Sequence, residues 1–211
     1  LVEILNDDGT MARLPQLLEI ASRFDLKIIA IKDLVAYRMR NERLIKKQLA
    51  VPMETPNWGM VEIHAYTQLT TDDTHLAIKI GDWEEDEPIL VRAHSSTETG
   101  DILGMIFDNY AQQIHQSLEL IYKEGKGLLL YMRHAEKGKD AILNRLKALK
   151  KAQELGEDLE ISNDMAQRDY GVGAQILRDM GITKMRLITN NPRRRVGLIG
   201  YGLEIVDNIQ L

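Results

Sequence analysis

The chain has 211 residues, 44% of them hydrophobic and 28% charged, which is the composition of a globular protein and excludes an extended disordered chain. A formal net charge of −5 and an aromatic content of 5% argue against a nucleic-acid-binding protein, which would carry a basic field. The sequence contains no cysteine, which excludes disulfides, thiolate nucleophiles and every cysteine-based zinc or iron–sulfur site.

The first forty residues are predicted to form a small strand–helix–strand–helix unit. A strand over 1–5 is followed by a turn cluster and by apolar residues at helical spacing from Leu14 onward. A second strand is predicted over 27–31 and a second helix over 31–39. Such a unit is too small to bury a good core, and the chain does not begin with methionine. We therefore expect the end of a domain, and a chain that is a piece of a longer protein.

The N-terminus also lacks the basic and then apolar layout of a signal peptide. No apolar stretch of the sequence approaches the ~20 residues that a membrane-spanning helix needs. We expect a cytoplasmic protein without a membrane partner.

The remainder of the chain changes from strands to alternating helices and strands. The basic segment over 38–47 is predicted to be a linker or the exposed end of a helix, and period-2 alternation then predicts three strands. The predicted strands lie at 61–67, 74–81, 88–93, 127–131, 185–189 and 203–206. The predicted helices lie at 105–124, 140–154 and 166–180. This order predicts an α/β or α+β fold.

Several motifs of this second part resemble GTP cyclohydrolase II of riboflavin biosynthesis. The resemblance rests on Arg92-Ala93-His94-Ser95, Thr99-Gly100-Asp101, Glu124-Gly125-Lys126-Gly127, Arg168-Asp169-Tyr170-Gly171-Val172-Gly173-Ala174-Gln175 and Thr189-Asn190-Asn191-Pro192. It implies a mixed β/α domain over residues 41–211. So many blocks in order and register make coincidence a poor explanation.

The first forty residues resemble a different family. Asn6-Asp7-Asp8-Gly9-Thr10 and Asp33-Leu34-Val35-Ala36-Tyr37 are similar to the C-terminal end of 3,4-dihydroxy-2-butanone 4-phosphate synthase, an α+β domain. Many bacteria fuse the two enzymes in this order, so the resemblance implies a synthase remnant over 1–40. Glu3 matches the last catalytic carboxylate of that family, and its catalytic partners would lie upstream of this chain.

The resemblance implies zinc chemistry that this sequence is poorly equipped to perform. The family holds a catalytic zinc with three cysteines, and the metal lowers the pKa of a bound water toward ~7. The aligned positions here are Thr97, Asp108 and Tyr110, of which only the aspartate is a good ligand. A substitute site built from His94, Asp101 and Asp108 is the weaker alternative. We expect no zinc and leave magnesium open.

Other catalytic positions of the family are also altered. Its general-base aspartate falls on Ala166, which cannot accept a proton, and a family tyrosine falls on Leu149. Its Glu-Gly-Arg loop is replaced by the residues from His134 to Lys139. The metal ligands, the general base and the loop are all altered together. This indicates that the catalytic site was lost as a whole after selection for catalysis ended.

Positions that contact the nucleotide in the family are better preserved. The resemblance implies substrate-binding roles for Arg92, His94, Ser95, Gln113, Thr189 and Arg194, and a covalent role toward the α-phosphate for Arg168. Arginine at 194 replaces a family lysine and keeps a charge that suits phosphate. Arg168 is as well explained by a structural ion pair with Asp164 or Asp169. His94 is better explained by a structural hydrogen bond than by metal ligation.

These observations leave three functional hypotheses. The first is a degenerate cyclohydrolase II-like domain that serves a fused synthase structurally or as a regulator. The second is a pseudoenzyme that still binds GTP or a related phosphate compound. The third is an enzyme with residual cyclohydrolase II activity, which would release formate and diphosphate from GTP. Because members of the family form dimers, the resemblance implies a homodimer.

Overall fold

The computed structural model of the chain describes residues 2–96, 105–106, 110–134, 141–155, 170–190, 198 and 201–211. Its helices are α1 (Leu14–Phe24), α2 (Ile31–Asn41), α3 (Tyr110–Glu124), α4 (Ala141–Leu155) and α5 (Tyr170–Asp179). Its strands are β1 (Ile45–Thr55), β2 (Gly59–Gln68), β3 (Thr74–Ile80), β4 (Pro88–Ser96), β5 (Gly127–Arg133), β6 (Lys184–Ile188) and β7 (Glu204–Ile209). The predicted α/β class is confirmed.

The strands form one mixed sheet in the order β1-β2-β3-β5-β4-β6-β7. β1, β2 and β3 are joined as antiparallel neighbours, and β3 pairs antiparallel with β5. β5, β4, β6 and β7 run parallel to one another. Parallel strands end at a common edge, so the carboxyl ends of these four strands lie together.

Helices cover both faces of the central strands. On one face α5 packs against alternate residues of β4 and β5, including Val91, Leu128 and Leu130, which form a common buried cluster with Ile176 of the helix. On the other face Ile121 of α3 packs with the intervening strand residues, such as Leu90 and Leu129. Burial on both faces explains why β5 is almost continuously apolar.

β1 was not predicted, because most of its residues are polar or exposed. In the segment predicted as a linker or helix end, residues 38–41 are the end of α2, as the second alternative has it. Its last residues are not a linker: Ile45 opens β1 and is only 3% exposed within the core. An irregularity between Lys47 and Leu49 shifts the register against β2. β1 is an edge strand of the sheet. It carries Pro52 after the irregularity, and sheets tolerate proline at their edges.

The N-terminal strands were also predicted wrongly. Residues 26–30 have no regular structure, and Ile28 and Ile29 are exposed. Near the predicted strand over 1–5 there is one isolated bridge, between Leu5 and Met11. A run of β-branched residues forms a strand only where a partner strand supplies hydrogen bonds. The predicted helix that begins at Ile31 is confirmed as α2.

Candidate functional site

The preserved candidate residues lie toward the carboxyl edge of the parallel strands. β4 is flanked by β5 on one side and β6 on the other. α3, which follows β4 in the sequence, packs against β4 and β5. In open α/β sheets, ligands bind outside the carboxyl ends of the strands. The topology therefore favours this edge as the site.

Arg92 of β4 joins three elements of the site. Its Nη1 donates to the main-chain carbonyl of Ile188 at the end of β6 over 3.2 Å. Its Nη2 donates to Oε1 of Gln113 in α3 over 3.1 Å. The two bonds fix the plane and direction of a half-buried guanidinium, a group whose planar donors suit phosphate oxygens.

His94 lies two residues further along β4, on the same face of the sheet as Arg92. Its imidazole is buried and stacks on the ring of Tyr131 in β5, with centroids 5.7 Å apart and planes inclined by 23°. The two residues are register partners in the parallel pair β4–β5. The packing fixes the position of the imidazole.

Ser95 points to the opposite face of β4, because side chains alternate along a strand. It is half-buried and is the register partner of Met132. The following residue, Ser96, ends β4, and its carbonyl accepts a hydrogen bond from the N–H of His134 over 2.9 Å. The ends of β4 and β5 are therefore tied together just beyond the candidate residues.

Thr189 follows directly after β6 and is buried. Its N–H donates to the carbonyl of Ile209 over 2.8 Å. The carboxamide oxygen of the next residue, Asn190, accepts from the N–H of Leu211 over 3.0 Å. The C-terminal residues thus pin the segment that begins at the carboxyl end of β6, next to the carbonyl that Arg92 contacts.

The structure therefore connects Arg92 and Gln113 directly, and joins Thr189 to them through the neighbouring carbonyl of Ile188. Glu3 is exposed in the segment before α1. Several other candidates lie outside the described residues or, for Tyr110 and Leu149, have a side chain that is not described. These are Thr97, Asp101, Asp108, Tyr110, Leu149, Asp164, Ala166, Arg168, Asp169 and Arg194.

Two contacts of the site, the ring of Tyr131 and the main-chain carbonyl of Ile188, were not predicted from the sequence. Tyr131 is the last residue of the strand predicted over 127–131, and the pairing of β4 with β5 brings it against His94. The carbonyl of Ile188 is a main-chain group, which no motif can identify. An aromatic residue near the end of a predicted parallel strand is the signal that could have indicated the first contact.

Ion pairs stabilise the opposite, amino edge of the parallel strands. Lys126, just before β5, pairs with Glu87, just before β4. The hydrogen bond from Lys126 is the largest influence on the pKa of Glu87, which lies below its usual value. Arg186 of β6 pairs with Glu124 at the end of α3, with Nη1 2.6 Å from Oε1. The acidic groups of these pairs are thus kept away from the edge that carries Arg92.

The donor groups do not fit the zinc that the resemblance implies. With no cysteine in the chain, the aligned positions offer one carboxylate, an alcohol and a phenol, and the last two are poor zinc ligands. Among the described residues, no group of three or more histidine, aspartate or glutamate side chains could hold a metal ion. Asp101 and Asp108 are not among these described residues.

No helix in the described part of the chain combines the length and the apolar character needed to cross a bilayer.

Comparison with family models assigns most of the chain. Residues 46–210 match the model described as GTP cyclohydrolase II. Residues 1–37 match the model described as 3,4-dihydroxy-2-butanone 4-phosphate synthase. The two matches follow each other without overlap.

Riboflavin biosynthesis proteins are similar to this chain over nearly its whole length. The riboflavin biosynthesis protein RibBA of Cytophaga hutchinsonii is 50% identical, with 100% of this chain and 53% of the relative covered. The protein of the same name from Aquifex aeolicus is 46% identical, with 99% of this chain and 52% of the relative covered. The chain spans about half the length of the curated relatives it matches.

A solved structure shares the fold. It is the crystal structure of RibBX, a two-domain 3,4-dihydroxy-2-butanone 4-phosphate synthase from A. baumannii. The likeness has a TM-score of 0.51 at 28% sequence identity and covers 98% of this chain and 52% of that chain.

Proposed function

Because this chain belongs to the GTP cyclohydrolase II family, we propose that it is part of a riboflavin-biosynthesis protein whose cyclohydrolase II-like region has lost zinc-dependent ring opening. In this proposal the region serves a 3,4-dihydroxy-2-butanone 4-phosphate synthase as a structural or regulatory partner. The single observation that carries the proposal is the complete absence of cysteine from a family member whose catalytic zinc would need three of them.

The chemical argument concerns the attacking water. Hydrolysis at an unreactive ring carbon of GTP needs a water whose pKa has been lowered toward ~7, and a catalytic zinc held by three protein ligands does this. Thr97 and Tyr110 cannot replace thiolates, and Ala166 cannot act as a base. The metal ligands and the base are therefore both missing from the expected positions.

The role beside a synthase is supported by the two family matches. Residues 1–37 match the synthase model, so this chain joins synthase-like and cyclohydrolase-like sequence. RibBX, which shares the fold, is described as a two-domain synthase. These similarities favour a second domain that contributes to the synthase without ring-opening chemistry of its own.

Formate release from GTP by the purified chain, with magnesium and added zinc, tests the loss of ring opening. We expect formate at the no-protein background and less than stoichiometric zinc by mass spectrometry after dialysis. His94→Ala and Asp108→Ala should change neither quantity. Turnover above background that these substitutions reduce, together with one zinc per chain, would show a working metal site and overturn the proposal.

A second function, binding of GTP or a related phosphate compound, is favoured by the contact between Arg92 and Gln113. The two bonds made by Arg92 hold a cation at the carboxyl edge of β4, where phosphate groups bind in α/β sheets. Pairing of a fixed guanidinium with phosphate is stronger than pairing between neutral groups, by roughly twofold. This function is compatible with the loss of ring opening.

Calorimetric titration with GTP tests this second function. We expect saturable heat, and we expect Arg92→Lys to weaken the affinity about tenfold or more, because an ammonium cannot reproduce two directed bonds. Arg13→Lys, an exposed change of the same kind before α1, is the matched control and should bind as the unchanged chain does. Absence of heat at millimolar GTP would exclude the function.

A further inference from the structure

The side chain of Gln175 in α5 holds the segment that connects α2 to β1. Its Nε2 donates to the carbonyl of Glu42 over 2.9 Å, and its Oε1 accepts from the N–H of Leu44 over 2.8 Å. The residue is only 9% exposed. More than 130 residues of sequence separate the partners, so these bonds join distant parts of the chain.

The pattern of these bonds is that of a neighbouring strand. In an extended segment, the carbonyl of one residue and the N–H two residues later point to the same side, where a partner strand would supply one N–H and one C=O. The carboxamide of Gln175 supplies the same pair of groups to Glu42 and Leu44. A single side chain thus continues the pairing just ahead of Ile45, where β1 begins.

A second contact from the same helix reinforces the first. Asp179 lies one turn after Gln175, on the same face of α5, and its Oδ1 is 3.7 Å from Nη2 of Arg43. Its Oδ2 accepts a hydrogen bond from the hydroxyl of the buried Tyr66 over 2.8 Å. The carboxylate is thereby oriented by the core while it faces the segment that Gln175 holds.

The held segment joins the two family matches. Synthase-like sequence ends at residue 37 and cyclohydrolase II-like sequence begins at residue 46, and Glu42–Leu44 lies between them. On the core side, the segment is fixed by Leu44, whose carbonyl accepts from the N–H of Leu69 over 2.8 Å. The direction in which the synthase-like residues leave the sheet is therefore set at this point.

We propose that Gln175, supported by Asp179, is a latch: it holds the connecting residues 42–44 and thereby positions the end of the synthase-like sequence on the cyclohydrolase II-like domain. This inference deepens the proposed function and rests on it. The domain would contribute to a synthase by fixing, through residues 42–44, the point at which the synthase-like sequence meets α5. The latch needs no metal and no nucleotide.

Limited trypsin digestion of the purified chain tests the latch, because Arg43 lies inside it. The quantity measured is the rate of cleavage after Arg43 divided by the rate after Lys126, a site between α3 and β5 that reports general unfolding. Gln175→Glu keeps the acceptor but removes the donor and places a carboxylate against the carbonyl of Glu42. We expect this ratio to rise roughly tenfold, since the segment opens more often when buried hydrogen bonds are lost.

Gln175→Leu keeps the size of the side chain, removes both bonds and adds no charge, so it should raise the ratio by a similar factor. Gln112→Glu, the same change at an exposed position of α3, is the matched control and should leave the ratio unchanged. An unchanged ratio in both Gln175 variants, or an equal rise in the Gln112 control, would overturn the latch. The digestion contains neither GTP nor zinc, so its failure is distinguishable from a failure of the proposed loss of ring opening.

Discussion

Tyr66 carries a phenol group into the core of the protein. The residue is fully buried, and its hydroxyl donates to Asp179 over 2.8 Å. Burial first, and then the hydrogen bond and charge of Asp179, raise the pKa of Tyr66 well above the value of 10.0 for a free phenol. Because the folded state favours the neutral phenol, its contribution to stability is complete below pH ~10 and is lost as the pH rises further.

We expect the free energy of unfolding of the chain, measured with urea, to fall as the pH is raised above ~10. Tyr66→Phe should remove this part of the alkaline dependence. At pH 7 the same variant should be less stable by roughly 1 kcal/mol, since the hydrogen bond from the buried phenol to the carboxylate of Asp179 is lost. An alkaline dependence that is unchanged in Tyr66→Phe would contradict the assignment.

Single residues of the site could be predicted only in part. The roles of Arg92 and Gln113 follow from the family resemblance, and the structure joins the two residues. Their bond could not be predicted, because it depends on how α3 packs against the sheet. The latch of Gln175 was missed for the same reason: a glutamine in a helix gives no signal that its partners are main-chain groups of a distant segment.

At the scale of the elements, two turns meet at glycines. Gly81 follows β3 and Gly125 follows α3, and both have positive φ, at 67° and 80°. A Cβ at Gly81 would clash with the carbonyl oxygen of Gly125 and lie 3.1 Å from Cα of Lys126. A Cβ at Gly125 would have no heavy atom within 4 Å. The positive φ favours glycine at both positions. At 81 the close approach of the other turn also leaves no room for a Cβ.

We expect Gly81→Ala to lower the free energy of unfolding by roughly 2–4 kcal/mol, because backbone strain and overlap add together. Gly125→Ala, which has the strain without the overlap, should cost about 1 kcal/mol. Urea unfolding of both variants gives the comparison. An equal loss of unfolding free energy in the two variants would mean that the turns can move apart to accommodate a Cβ at position 81.

The elements that could be predicted are those whose burial pattern is visible in the sequence. β2 and β3 alternate, and β5 is a short apolar run, so each was found near its observed bounds. β1 was missed because charged and polar residues follow Ile45 and Pro52 interrupts the apolar residues after them, a pattern that argues against a strand away from a sheet edge. The strand over 27–31 was wrong because its apolar residues have no strand beside them. Pairing partners lie elsewhere in the chain and are not visible in a local pattern.

At the scale of the whole molecule, burial is concentrated around β4 and β5. Most of their side chains are buried by α3 and α5, whereas α1 buries Ala21 alone among its residues. The fold class and the two families could be predicted, because many motifs along the chain agree. The domain boundary between residues 40 and 41 stays a prediction.

Hydrogen exchange should therefore be strongly uneven. We expect the amides of β4 and β5 to exchange slowest, near the rate set by global unfolding, and those of α1 to exchange on the order of 100-fold faster or more. Mass spectrometry of peptides covering 14–24 and 127–133 gives the two rates. Equal protection of α1 and β5 would mean that the N-terminal helices are as firmly packed as the sheet.

The placement of Pro52 in β1 bears on how the protein behaves at high concentration. β1 exposes Leu49, Val51 and Met53 at alternate positions, a pattern that promotes fibril-like stacking when the strand edge is open. Proline has no N–H to offer an incoming strand, and Lys46 and Lys47 repel a second copy at one end. Replacing Pro52 with valine would leave the monomer folded yet give the edge of β1 an uninterrupted row of N–H groups. Aggregation, measured as turbidity, and not unfolding would then limit how long the protein stays in solution.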